Sequence, residues 1–306
     1  MQNIYEATAS NKRKSVVVIV FFLFFTALTI YIIAQAFSVY MGYEPGGLGI
    51  VGIAFILSGI ISFVSYYNSD KIVLKISNAS PADRTRDYDF YTAAENLAIG
   101  AGLPKPKLYV IEDSAMNAFA TGRDPDHAVI VATRGLLAKL DRTEIEGVIA
   151  HEMSHIKNYD IRLMSLVSVM VGTIALLGDF MLRARFRGSG NSKSNAGAII
   201  LVVGLVFAIL SPIIANLIKL AISRRREFLA DASAVAITRQ PNGLINALSK
   251  IANDHEPLEA ANKATAHLYI ENPFKDKVKS GASWFSNMFN THPPVEERIK
   301  SLQSMT

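Results

Sequence analysis

His151-Glu152-Met153-Ser154-His155 sets two imidazoles four residues apart, with a carboxylate beside the first. On a helix such residues lie one turn apart on one face, so both rings can reach a single zinc ion. Glu152 then stands beside the coordination position the protein leaves open, where it takes a proton from water made acidic by the metal. This is the equipment of peptide-bond hydrolysis. A pentapeptide this short also arises by chance as an ordinary histidine pair on a helix surface, and its flanks bear on the choice. Asp141 and Glu144 have the spacing of an N-cap and capping box, and Ile145, Val148, Ile149 and Ile156 recur at helical spacing to give the segment a buried face.

A hydrolytic zinc site takes three protein ligands and keeps one position open. Glu227, in Glu227-Phe228-Leu229-Ala230-Asp231, is the best candidate for the third, on a helical stretch expected from Arg225 to Thr238. Asp231, one turn on, faces the same way and is expected to accept the N–H of a zinc-bound histidine. On the opposing reading these acids lie on a solvated helix and pair with Arg224, Arg225 and Arg226. The upstream motif favours the ligand. His127, His255 and His267 have no partner at ligand spacing and receive no role.

In this order, with hydrophobic segments between the two motifs, the residues resemble the HtpX group of membrane zinc metalloproteases, gluzincins related to the CAAX prenyl proteases. The likeness spans nearly the whole chain, including Asn117-Ala118-Phe119-Ala120 and Thr291-His292-Pro293-Pro294. It implies one zinc ion per chain and associates Asn117, Ala118, Phe119 and Ala120 with a substrate-binding edge. It also implies that His292 and Arg298 approach the active site and donate hydrogen bonds to the oxyanion or the substrate carbonyl. Read without it, Asn117 to Ala120 is a turn with Phe119 in the core, His292 a loop histidine and Arg298 a surface cation. The biology it implies is stress-response degradation of misfolded or damaged membrane proteins at the bacterial inner membrane.

Composition agrees with a membrane enzyme: 50% of the 306 residues are hydrophobic and only 19% charged, with a mean hydropathy of +0.26. Four apolar stretches approach the roughly 20 residues that cross a bilayer, at 16–37, 48–67, 163–182 and 196–222. No small-residue cleavage site separates the first two, so the first is expected to be a retained anchor. Lys12, Arg13 and Lys14 precede it and put the N-terminus in the cytoplasm, which returns the chain to that side at about Asn68, where Lys71, Lys75, Arg84 and Arg86 follow. The second hairpin must begin and end on one side, because His155 precedes it and Glu227 follows it. Its length favours two crossings, whereas Arg183, Arg185, Arg187 and Lys193 at its tip favour a hairpin lying partly in the interface.

The expected fold is α+β, a mostly helical multi-pass membrane protein whose zincin-like catalytic domain carries a small β-sheet. Its parts are a transmembrane hairpin at 1–67, a first catalytic part with the zinc helix at 68–160, the second hydrophobic hairpin at 161–222 and a second catalytic part with the third ligand at 223–306. A helix from Thr92 to Ala101, strands at Lys107–Ile111 and Ala128–Ala132, and a C-terminal helix after Pro294 through Arg298 and Leu302 fill the catalytic parts. The absence of cysteine excludes thiolate ligands, thiol nucleophiles and disulfides. A net charge of +5, partly beside the membrane segments, suits lipid headgroups and requires no nucleic acid.

The chain therefore reads as a zinc-dependent membrane endopeptidase, acting on protein or peptide substrates, membrane proteins among them, with its catalytic domain facing the cytoplasm. The alternatives are a prenyl-protein processing protease, a non-enzymatic membrane scaffold retaining the fold, and a transporter, for which the first two segments lack mid-membrane charges. Substrate, cleavage preference and oligomeric state are not legible in the sequence.

Overall fold

The structure, a computed structural model, describes residues 4–40, 48–187, 224–261, 265–271, 273 and 293–305. The chain opens with α1 (Ile4–Tyr40) and α2 (Leu48–Tyr67), which pack on each other, Phe24 meeting Phe55 edge to face at 5.7 Å. Among the described residues, Ala9–Ile32 (24 residues, mean hydropathy 2.6) and Gly49–Tyr67 (19 residues, 2.1) are long and apolar enough to cross a membrane. Val16, Phe24, Leu28, Ile56 and Phe63 stand exposed along them, an arrangement that lipid accommodates and water disfavours. Helix α1 starts well before the first apolar stretch, because its polar leading turns pack on protein: Asn11 and Ser15 are buried. Of the second expected hairpin, 163–182 lies within α7 (Asp160–Arg187), whose first half packs Leu163, Val167 and Met170 against Val18, Phe22 and Phe25 of α1. The stretch 196–222 lies outside the described residues.

After the short α3 (Ser69–Ile76) come β1 (Ser80–Pro81), α4 (Tyr88–Ala101), β2 (Lys107–Ile111), β3 (Ala118–Thr121) and β4 (Val129–Thr133). The strands form one sheet in the order β1-β2-β4-β3, with β2 and β4 parallel at its centre and the two outer pairs antiparallel. The β-branched run of β4 is buried along its whole length. Side chains alternate between faces with a period of two. Leu108, Val110, Ala118, Ala120, Ile130 and Ala132 enter one core with α4 and α6 (Arg142–Lys157), whereas Ile111, Phe119, Val129 and Val131 enter another with Val73, Met164 and Tyr269. Only two strands were expected. β1 is two residues long and contains proline, and β3 is alanine-rich, so neither carries a strand-like pattern of its own.

Helix α6 starts on the capping box that Asp141 and Glu144 suggest, with both reciprocal bonds present. After α5 (Arg134–Lys139), α6 and α7 the described chain continues with α8 (Arg224–Thr238), α9 (Pro241–Asn253) and α10 (Val295–Gln303). The prolines before α10 set its start: Pro294 is its N-cap. Helices α6 and α9 cross backbone to backbone, since a Cβ on Gly147 would lie 2.6 Å from the Leu244 nitrogen and one on Gly243 2.5 Å from the Thr143 carbonyl. That crossing fixes the face α6 turns toward α8. Gly147→Ala should therefore destabilise the fold by about 1–3 kcal/mol through overpacking, read as a lower midpoint of thermal unfolding in detergent.

Candidate metal centre

Helix α6 presents His151 and His155 to α8, which presents Glu227. The two Nε2 atoms are 3.2 Å apart, Glu227 Oε2 is 3.7 Å from His151 Nε2, and Oε1 is 3.7 Å from His155 Nε2. All three side chains are buried and form a group able to hold a metal ion. Donors held tetrahedrally at about 2.0–2.1 Å from one ion lie about 3.3 Å from each other. The observed spacings need only a small adjustment to reach that geometry.

Each histidine is fixed from behind by a carboxylate, and each carboxylate by an arginine. His151 Nδ1 donates to Asp231 Oδ1 at 2.9 Å, and Arg298 of α10 donates to both oxygens of Asp231, through Nε at 2.9 Å and Nη2 at 2.6 Å. His155 Nδ1 donates to Asp160 Oδ2 at 3.0 Å, and Arg226 Nη1 approaches Asp160 Oδ1 at 3.3 Å. Donation from Nδ1 leaves the Nε2 lone pairs for a metal, the tautomer a ligand needs.

The buried charges make a second fit. Glu152, Glu227, Asp160 and Asp231 bring four negative charges, and Arg226 and Arg298 bring two positive ones, an excess of two that a divalent cation balances. In the metal-free protein His155 supplies part of that balance. Burial presses its imidazole toward the neutral form, but the bond to Asp160 and the charges of Glu227, Asp160 and Glu152 outweigh burial and raise its pKa to about 9. Burial likewise opposes ionisation of Asp231, yet the Arg298 guanidinium and the bonds from Arg298 and His151 hold it down to about 2.

The structure brings together six of the residues singled out in the sequence, His151, Glu152, His155, Glu227, Asp231 and Arg298. Arg298 is not the surface cation its sequence context suggests. It is fully buried, and its Nε and Nη2 are committed to Asp231, which directs it to holding a ligand's partner more than to meeting a substrate carbonyl. His292 lies outside the described residues. Asn117 to Ala120 is no turn: Ala118–Thr121 is the outer strand β3, with Phe119 buried edge-on to Tyr269 at 5.0 Å. Its outer edge is partly taken. Ile270 N–H donates to the Ala118 carbonyl at 3.0 Å, and the Asn117 carboxamide donates to the Glu271 carbonyl, also at 3.0 Å.

Sequence reasoning missed Asp160 and Arg226. Asp160 follows the end of α6, and it turns back to His155 because Tyr159 adopts a left-handed conformation (φ 59°). The only local sign is the turn-forming Asn158-Tyr159-Asp160 sequence.

Residues 85–306 match the profile of peptidase family M48. The chain is 44% identical over 301 residues to a protease HtpX homolog of Dictyoglomus thermophilum, covering 98% of this chain and 94% of that protein. It is also 44% identical over 312 residues to one of Caldanaerobacter subterraneus (100% and 99%), and 39% identical over 316 residues to one of Listeria monocytogenes (99% and 100%). Among solved structures it is similar in fold to S. mikatae Ste24p, with a TM-score of 0.50 at 19% identity, covering 90% of this chain but only 62% of that one.

A proton and a metal ion compete for His155 Nε2, so binding must expel the proton that the raised pKa retains. Below about pH 9, metal uptake should release close to one proton per ion, and apparent affinity should rise by about tenfold per pH unit before levelling off. Calorimetric titration of the metal-free protein with Zn2+ in buffers of different protonation enthalpy measures that proton directly. Asp231→Asn, which leaves His151 without its anion, should weaken Zn2+ binding by about 10–100-fold in the same titration.

Proposed function

The chain belongs to peptidase family M48, and from that premise we propose that this metallopeptidase is a zinc-dependent membrane endopeptidase that cleaves misfolded or damaged membrane proteins. The convergence of His151, His155 and Glu227 from two separate helices, with Glu152 beside them, carries the reading. His151 and His155 would hold zinc through Nε2, and Glu227 through its carboxylate, as a nitrogen and oxygen donor set suits. When bound, zinc supplies the Lewis acidity that makes water a nucleophile near neutral pH.

Glu152 is buried beside His151, where a carboxylate can take a proton from the attacking water and return it to the leaving amine nitrogen. Asp231 and Asp160 keep the two imidazoles in register, and Arg298 holds Asp231 ionised and in place. His292 is proposed as a donor to the developing oxyanion, on resemblance alone. Asn117, Ala118, Phe119 and Ala120 are the proposed substrate edge. Backbone groups of Ala118 face away from β4, as its bond with Ile270 shows, and by strand alternation so do those of Ala120, where an extended peptide would add as a further strand.

The proposed organisation keeps a membrane hairpin at 1–67, catalytic parts at 68–160 and 223–306, and a second hydrophobic hairpin at 161–222 between them. Lys12, Arg13, Lys14, Lys71 and Lys75 at the membrane boundary support a catalytic part on the cytoplasmic face of the bacterial inner membrane. The fold likeness to Ste24p concerns architecture and does not favour prenyl-protein substrates.

Detergent-purified protein loaded with Zn2+ should cleave an unfolded protein such as casein. Glu152→Gln should keep the metal yet lose roughly 10²–10⁴-fold in cleavage rate. Equal rates in the two would overturn the assignment of Glu152 and, with it, the hydrolytic reading of the site.

A further inference from the structure

We propose that Asn11, on the membrane helix α1, is a positioning residue of the metal centre, a role that rests on His155 being a metal ligand. Asn11 is only 1% exposed, and its carboxamide is used on every side. Nδ2 donates to Asp160 Oδ1 at 2.6 Å and to the Asn158 carbonyl at 3.0 Å, and Oδ1 accepts from Arg226 Nη1 at 3.1 Å. The other oxygen of Asp160 accepts from His155, and Arg226 is the residue before Glu227. One side chain of the anchor thus braces the carboxylate behind the second ligand and the helix that carries the third.

Asparagine suits the place because it combines two donors with an acceptor and carries no charge. It can bridge a carboxylate, a carbonyl and a guanidinium at once; aspartate there would set a like charge against Asp160. The contact is part of a docked surface, not a lone bond. Lys12 Nζ lies 4.3 Å from the centre of the Tyr159 ring, whose other cationic neighbour is Arg162 at 5.1 Å, and Ser15 is buried one turn further along α1. Tyr159 is also the left-handed residue that returns Asp160 to His155. That turn is set by the Tyr159 backbone, whereas Lys12 meets only its ring, so the part of this surface that reaches His155 is the bond from Asn11 to Asp160.

The test uses the full-length protein in detergent. Asn11→Ala and the similarly sized Asn11→Leu are compared with the parent for Zn2+ affinity by chelator competition and, with Co2+ in place of Zn2+, for the visible absorption spectrum that reports ligand geometry. Each should bind Zn2+ about tenfold more weakly, the lower end of the effect of removing support behind a ligand, and shift the Co2+ spectrum. In an Asp160→Asn background the Asn11 substitutions should add little, because the route through Asp160 is already broken. Lys12→Ala, which removes a neighbouring docking contact, should leave affinity unchanged.

Parent-like affinity and spectra in both Asn11 variants would overturn the proposal. So would losses fully additive with that of Asp160→Asn, or an equal loss in Lys12→Ala, since either means that Asn11 acts only through general packing of α1. Asn11→Leu retains the side-chain volume, so the comparison stands even if Asn11→Ala does not fold. His155→Ala separates the two layers of inference. Loss of metal there with unaffected Asn11 variants refutes the Asn11 role alone, whereas metal retained in His155→Ala refutes the metal-centre reading and this proposal with it.

Discussion

An ionised carboxylate removed from water costs several kcal/mol unless it is paired, and this protein buries Glu152, Glu227, Asp160 and Asp231 in one site. The architecture is organised by that constraint. Two arginines answer two of the charges, and they come from α8 and α10. The imidazoles lie between the remaining acids and the carboxylates behind them. Helices α1, the start of α7, α8 and α10 must all meet the end of α6 for the pairing to close. A divalent cation held by His151, His155 and Glu227 would complete the neutralisation and tie the electrostatics of the fold to its chemistry.

The sheet serves this arrangement by separating two apolar layers. One face of each strand packs under α4 and α6, fixing the metal-binding helix from below, and the other receives α3, α7 and Tyr269, joining the catalytic part to the membrane-side helices. Burial on both sides explains why β4 is apolar throughout. The outer strand β3 is the edge proposed to receive a peptide. Ile270, whose N–H engages Ala118, offers its own carbonyl to Arg298 at 3.5 Å, so the strand edge and the support of His151 share a neighbour.

What could be read from the sequence was carried by local spacing. The histidine pair, the Asp141–Glu144 box and the β2 run each declare themselves within a few residues, whereas the α8 acids gain meaning only beside the upstream histidine motif. What could not be read depends on turns and tertiary contacts. Asp160 becomes a partner of His155 only through the left-handed Tyr159, and Asn11 sits in a basic leader that reads as a topology signal before it reads as structure. Arg298 resembles any cation on an amphipathic helix until α10 docks and buries it. β1 and β3 are too short to carry a period, and pairing with neighbours makes them strands.

The relay His151–Asp231–Arg298 joins an early helix to one encoded far downstream, and Glu227 also follows the long hydrophobic stretch after His155. A ribosome delivers these groups in that order. Until the later ones arrive, the growing chain carries the two imidazoles without Glu227 and without the cation that secures Asp231. The buried group of His151, His155 and Glu227, and the arginine that holds Asp231, therefore close only when residues separated by most of the chain's second half meet.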